Sequence, residues 1–132
     1  MIVLDEQISN KRMVDSIRAW YPGAVISIRD LRPGTIILDD AIPSLLHKKR
    51  QPAFVTINVT DFWQKVAIDD RFCVVCFAVK NAPVIALLLK ELFHKEGFRT
   101  KQQRTGQVFR IKADGEIGYY RYDDQQVCRF TL

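Results

Sequence analysis

Phe54-Val55-Thr56-Ile57-Asn58-Val59-Thr60-Asp61-Phe62 runs from an apolar, β-branched stretch straight into polar residues, and Ile2-Val3-Leu4-Asp5-Glu6 does the same near the start of the chain. Each predicts a short apolar strand with a carboxylate just beyond its end. Between the two, a helix is expected from about Ser9, with Met13, Ile17 and Trp20 at helical spacing and Tyr21-Pro22-Gly23 as its stop. A second strand is expected over residues 24–28, followed by a loop from Arg29 to Leu38 that Pro33 and Gly34 punctuate. Asp39 then opens a helix holding Ile42, Leu45 and Leu46, and His47-Lys48-Lys49-Arg50 falls at its C-terminus, where positive charge suits the helix dipole.

Beyond Asp61 the pattern continues to alternate. Residues 61–67 are expected to be helical, Phe72 to Val79 to form a fourth strand, and Pro83 to about Gly97 a long helix with Pro in its first turn and Gly at its end. Strands that alternate with helices imply βαβ units and a mainly parallel sheet, so the fold class is α/β. The last part changes character: residues 107–111 and 117–122 flank Asp114-Gly115, a hairpin signal, and residues 127–131 offer a third strand. This C-terminal antiparallel β meander, about residues 107–131, is appended to the main sheet or continues it.

A length of 132 residues fits one domain, 1–132. A hydrophobic fraction of 48% with 27% charged residues is that of a globular chain with a core. No apolar run approaches the roughly 20 residues that cross a bilayer, so no membrane partner is expected. Asp5 and Glu6 follow Met1 too closely for a secretory leader, and the expected compartment is cytoplasmic. Cys73 and Cys76 form a C-x-x-C inside a strand, where positions i and i+3 face opposite ways and cannot share a metal; they are expected to be core cysteines.

The carboxylates carry the chemistry. Helices that follow parallel strands begin at the same sheet edge, so Asp5, Asp39 and Asp61 are expected to be neighbours beyond the carboxyl ends of the strands, where open α/β sheets bind ligands. Each also has a plain structural use: Asp5 and Asp39 as helix caps, Asn58 in an Asx turn, Asp61 as the cap of the helix carrying Phe62 and Trp63. Carboxylates gathered together repel, and an all-oxygen cage suits a hard cation such as Mg²⁺ or Mn²⁺. His47 and His94 stand alone near helix ends and suggest no triad.

Charge is segregated along the chain. Residues 1–70 are balanced, whereas Lys90, Lys95, Arg99, Lys101, Arg104, Arg110 and Lys112 outnumber Glu91 and Glu96 by the whole net charge of +5. Such a segment is either a solvated face or a surface for a polyanion, nucleic acid first. Phe109, Tyr119, Tyr120 and Tyr122 interleave it, either to pack the meander or to stack on unpaired bases.

Leu4-Asp5-Glu6, Asp39 with Ile42, and Thr56, Asn58 and Asp61-Phe62, in this order along about residues 2–96, resemble the compact PIN-like domains, relatives of the PIN ribonucleases that include VapC-type toxins. The resemblance implies a three-layer domain and a metal-dependent ribonuclease, the toxin of a toxin–antitoxin pair, with RNA as substrate and an antitoxin as protein partner. It implies that Asp5 and Asp61 bind Mg²⁺ or Mn²⁺, that Asp39 completes the cage, and that Asn58 orients water or touches substrate. Lys90, Lys101, Arg104, Arg110 and Lys112 would then hold RNA. Asn58 departs from the family's Thr-x-Asp-x-Asp-Phe, with one extra residue before Asp61-Phe62. The alternative is therefore a weakened or inactive module that binds RNA or a protein; a further one is a homo-oligomer or subunit joined through exposed strands of the meander.

Overall fold

The computed structural model describes residues 1–132. Seven strands form one sheet in the order β2-β1-β3-β4-β5-β6-β7. They are β1 (Ile2–Leu4), β2 (Val25–Ser27), β3 (Ala53–Thr56), β4 (Cys73–Ala78), β5 (Gln107–Lys112), β6 (Glu116–Arg121) and β7 (Asp124–Thr131). The five from β2 to β5 run parallel, and β6 and β7 are antiparallel. The meander thus continues the main sheet, because β5 pairs in parallel with β4, Cys76 beside Arg110.

Buried β1, β3 and β4 read as continuous apolar runs because both faces are covered. On one face Ile2, Leu4, Val55, Val75 and Phe77 meet Met13 and Ile17 of α1 (Lys11–Arg18) and Ile85, Leu89 and Leu92 of α4 (Ala82–His94). On the other, Val3, Phe54, Val74 and Cys76 meet Ile42, Leu45 and Leu46 of α2 (Ile42–Leu46) and Phe62 of α3 (Val59–Phe62). The result is three layers. Cys73 and Cys76 belong to opposite faces as strand alternation requires, and burial pushes both thiols up to about 12. No helix is long and apolar enough to cross a membrane.

Three local expectations need correction. The helix expected over 61–67 starts earlier and is shorter, at Val59–Phe62, because Asn58 rather than Asp61 caps it, accepting from the Asp61 N–H at 3.2 Å. It cannot continue, since Gln64 takes a left-handed backbone (φ 59°) and gives its N–H to the Tyr120 hydroxyl at 3.1 Å. Asp39 does not cap: Leu38 holds that position without a side-chain bond, and Asp39–Ala41 is a 3-10 turn feeding α2. A short helix α5 (Lys101–Arg104), closed by a Thr100–Gln103 capping box, occupies a segment left unassigned, and a 3-10 turn at Ile28–Leu31 ends the second strand at Ser27 and takes up the start of the expected loop.

Phe54 is fully buried and its ring lies 5.4 Å from that of Phe62, so it ties α3 to the sheet. Phe54→Ala should lower the unfolding free energy by about 3–5 kcal/mol, read from urea denaturation; a loss under about 1 kcal/mol would mean that this face is not a packed layer.

Candidate functional site

The chain leaves β1 at Asp5 and β3 at Thr56. β1 pairs with β2 on one side and β3 on the other, so the strand order reverses here, and a crevice opens beyond the strand ends at such a switch point. Asp5 is buried; Oδ1 accepts from the Glu6 N–H at 2.8 Å, capping the turn Glu6–Ile8, and Oδ2 accepts from the Thr56 hydroxyl at 2.6 Å. The same hydroxyl accepts from the Asn58 N–H at 3.0 Å. The Asn58 side chain is used twice, as the cap of α3 and as a donor from Nδ2 to Asp61 Oδ2 at 2.7 Å. One hydrogen-bonded chain therefore runs Asp5–Thr56–Asn58–Asp61.

Asp39 approaches that chain from the turn before α2. Asp39 and Asp61 line a shared cavity of about 420 Å³ with Asp40, Pro43, Phe62 and Lys65. Desolvation, the charges of Asp5 and Asp61, hydrogen-bond contact with Asp61 and the neighbouring Asp40 all raise the Asp39 carboxyl above the ordinary aspartate range. Desolvation is the largest cause, and the surrounding carboxylates add to it although the residue is exposed. The structure thus gathers Asp5, Asp39, Asn58 and Asp61 at one edge.

The donors are all oxygen. Asp5 is held by two hydrogen bonds, while Asp39 makes none with the backbone and faces Asp61. No three His, Cys, Asp or Glu side chains stand in a ready-made cage. What is assembled is a carboxylate pair with a third acid within electrostatic range. That set fits a small hard cation of the Mg²⁺ type, which takes one or two carboxylates and keeps several waters.

The basic residues divide. Arg104 is withdrawn from the surface: only 6% exposed, it lies 3.6 Å from the Phe93 ring centroid and donates to the Phe98 and Arg99 carbonyls, both at 2.9 Å. It is a structural residue tying α5 to α4, which corrects its place among the nucleic-acid contacts. Lys90 is exposed on α4, Lys101 opens α5 beside the N-terminus, and neither lines the cavity of Asp39 and Asp61. Arg110 and Lys112 lie toward the C-terminal end of β5, on the acidic side of the sheet. Adjacency in sequence is therefore not a single patch in space. Phe109 and Tyr120 are buried, Tyr119 packs on Phe98, and Tyr122 is exposed. His47 pairs with Asp69, and His94 Nδ1 meets the Lys90 carbonyl at 2.7 Å; neither reaches the acids. Lys65, in the acidic cavity, was missed because an isolated lysine after a short helix carries no sequence signal.

No family model, no curated protein and no solved structure matches the chain.

Asp39 supplies a test that needs no substrate. A folded-state pKa above the unfolded value gives stability that is full below the unfolded pKa and is lost as pH rises through the folded one. At pH 7 Asp39 is thus a liability. Asp39→Asn should raise Tm by about 2 °C there, on the order of 0.5 kcal/mol for so exposed a group, with the gain shrinking toward pH 4. Mn²⁺ should raise the Tm of the native chain and leave that of Asp39→Asn nearly unmoved. Equal Mn²⁺ responses in the two would count against this cation site.

Proposed function

We propose that this chain is a PIN-like domain acting as a Mg²⁺- or Mn²⁺-dependent ribonuclease, the toxin of a toxin–antitoxin pair. The observation that carries the reading is the meeting of Asp39 and Asp61 beside Asp5, at the switch point of a parallel sheet, with Asp39 left unspent on helix capping. Asp39 and Asp61 would hold the cation, with Asp5 behind them. A divalent ion there supplies Lewis-acid stabilisation of charge developing on a phosphodiester and lowers the pKa of water.

The chain's own residues do the positioning. Asp5, fixed by Glu6 N–H and Thr56 Oγ1, adds negative potential beneath the pair. Asn58 orients Asp61 through Nδ2 while its Oδ1 caps α3, so the rotamer of Asp61 is set before any ligand arrives. Lys65, on the cavity wall, supplies a cation for a phosphate oxygen. Nothing in this scheme calls for a His, Ser or Cys nucleophile, and the buried thiols of Cys73 and Cys76 are out of play.

Asn58 favours one second reading. It stands where the family pattern has a carboxylate, and without that charge the domain can bind RNA without cutting it. With Mn²⁺ the native chain should cleave single-stranded RNA and EDTA should stop it. Asp39→Asn and Asp61→Asn should each cut the rate at least about 100-fold, the loss of roughly 2.7 kcal/mol of transition-state stabilisation. Undiminished cleavage by both variants would place the active site elsewhere. RNA binding without cleavage by the native chain would select the binding module.

A further inference from the structure

A second cavity, of about 210 Å³, lies between the apolar side chains of Trp20, Tyr21, Pro22 and Phe93 and the cations Arg99 and Arg104. Trp20 and Tyr21 come before β2 and Arg104 before β5, whereas the acids follow β1 and β3, so the two cavities stand at opposite ends of the parallel strands. The rings brace one another edge-on. The Trp20 and Tyr21 centroids are 5.7 and 5.9 Å from that of Phe93 and 5.7 Å from each other. Tyr21 is tethered as well, since its hydroxyl accepts from the Met1 ammonium at 2.8 Å. The aromatic wall is therefore set before any ligand arrives.

Arg104 is buried in this wall without an acid. It takes part in none of the ion pairs, and no Asp or Glu lines the cavity. The charges near it are positive instead: the Met1 ammonium lies within range of both Arg104 and Lys101. A buried charge is normally paired with an opposite one, and the face of Phe93 is a weaker substitute. The guanidinium is also short of acceptors. Nη1 is spent on the Phe98 and Arg99 carbonyls, Nε is sealed from solvent without a partner, and Nη2 has no partner but is not sealed. Trp20 Nε1 is a further buried donor without an acceptor. What the cavity lacks is negative charge.

We propose that this cavity binds a small aromatic acid, one flat ring carrying a carboxylate, with the ring among Trp20, Tyr21 and Phe93 and the carboxylate on Arg104. Size sets the class. The cavity is smaller than the roughly 300 Å³ at which small-molecule pockets usually begin, which leaves room for one ring and not for a nucleotide. Charge sets the sign, because two arginines and no acid line it. A carboxylate matches guanidinium donors and supplies the acceptor that Nη2 lacks. Arg99, exposed at the rim, adds to the attraction. The inference does not rest on the ribonuclease reading, since this cavity shares no residue with the acidic one.

The test is nitrogen–proton NMR of the full chain, whose tryptophans, Trp20 and Trp63, give separate indole N–H signals that Trp63→Phe assigns. Benzoate should move the Trp20 signal saturably, with a Kd on the order of 1 mM, and leave the Trp63 signal in place. Benzyl alcohol, which has the ring without the charge, and acetate, which has the charge without the ring, should each bind at least about tenfold more weakly. This series uses the native chain and needs no variant to fold. Arg104→Lys keeps a charge but loses the guanidinium and should weaken benzoate about tenfold. Because Arg104 also ties α5 to α4, Arg99→Gln at the exposed rim serves as a second variant and should weaken benzoate about threefold. Benzyl alcohol matching benzoate would make this an apolar cleft, and acetate or inorganic phosphate matching it would make this a site for any anion; either overturns the proposal. So does a Trp20 signal that benzoate leaves unmoved, or a benzoate affinity that both arginine variants leave unchanged.

Discussion

The hydrogen bond from Thr56 Oγ1 to Asp5 Oδ2, 2.6 Å long and buried, joins residues 51 positions apart at the place where the strand order reverses. A bond to an ionised group contributes roughly 1.5–3 kcal/mol, and losing its donor would leave a buried carboxylate half-satisfied. The Thr56 hydroxyl also accepts from the Asn58 N–H, so it sets the path by which β3 enters α3. The position of Asp61, the start of α3 and the seat of Phe62 in the core all follow from that turn.

The acidic edge is held together against its own electrostatics. Asp5 is tethered by two donors and Asp61 by Asn58, but Asp39 is brought in by apolar burial of Ile42, Leu45 and Leu46 behind it. Core packing on α2 holds a carboxylate near two others, and its raised affinity for protons comes from burial first and from their charges second. Perturbed carboxylates of this kind cluster at functional sites, although structural networks produce them as well.

The sequence carried the strands and the acids well, and the reason is periodicity. Residues 2–4, 53–55 and 73–77 are apolar without interruption, which strands buried on both faces require, and Asp5 and Asp61, placed after the first two, share an edge. Helix ends were less legible because capping is a competition. Asn58 and Asp61 both suit the start of α3, and only the Thr56 hydroxyl, fixed from β1, decides for Asn58. Likewise no local signal tells that Gln64 will turn left-handed; the Tyr120 hydroxyl that receives its N–H comes from 56 residues away. Arg104 reads as a surface cation beside Lys101, yet the aromatic ring of Phe93 and the Phe98 and Arg99 carbonyls in the connection between α4 and α5 draw it inward.

Charge clustering in sequence and in space are different quantities here, and the sheet is what separates them. A segment that leaves α4, crosses the N-terminal edge through α5 and returns along β5 distributes its cations to opposite ends of the parallel strands. Lys101 and Arg104 end near the N-terminus, where burial first and then these two charges lower the affinity of its amine for the proton. Arg110, at the other end of the strands, shares an edge with the carboxylates instead. Opposite potentials therefore stand side by side on one edge of the sheet. The antiparallel addition of β6 and β7 extends that edge by two strands, bringing Arg129 into register with Arg110 through Gly118, while Glu116, the carboxylate it adds nearby, is paired with Lys112.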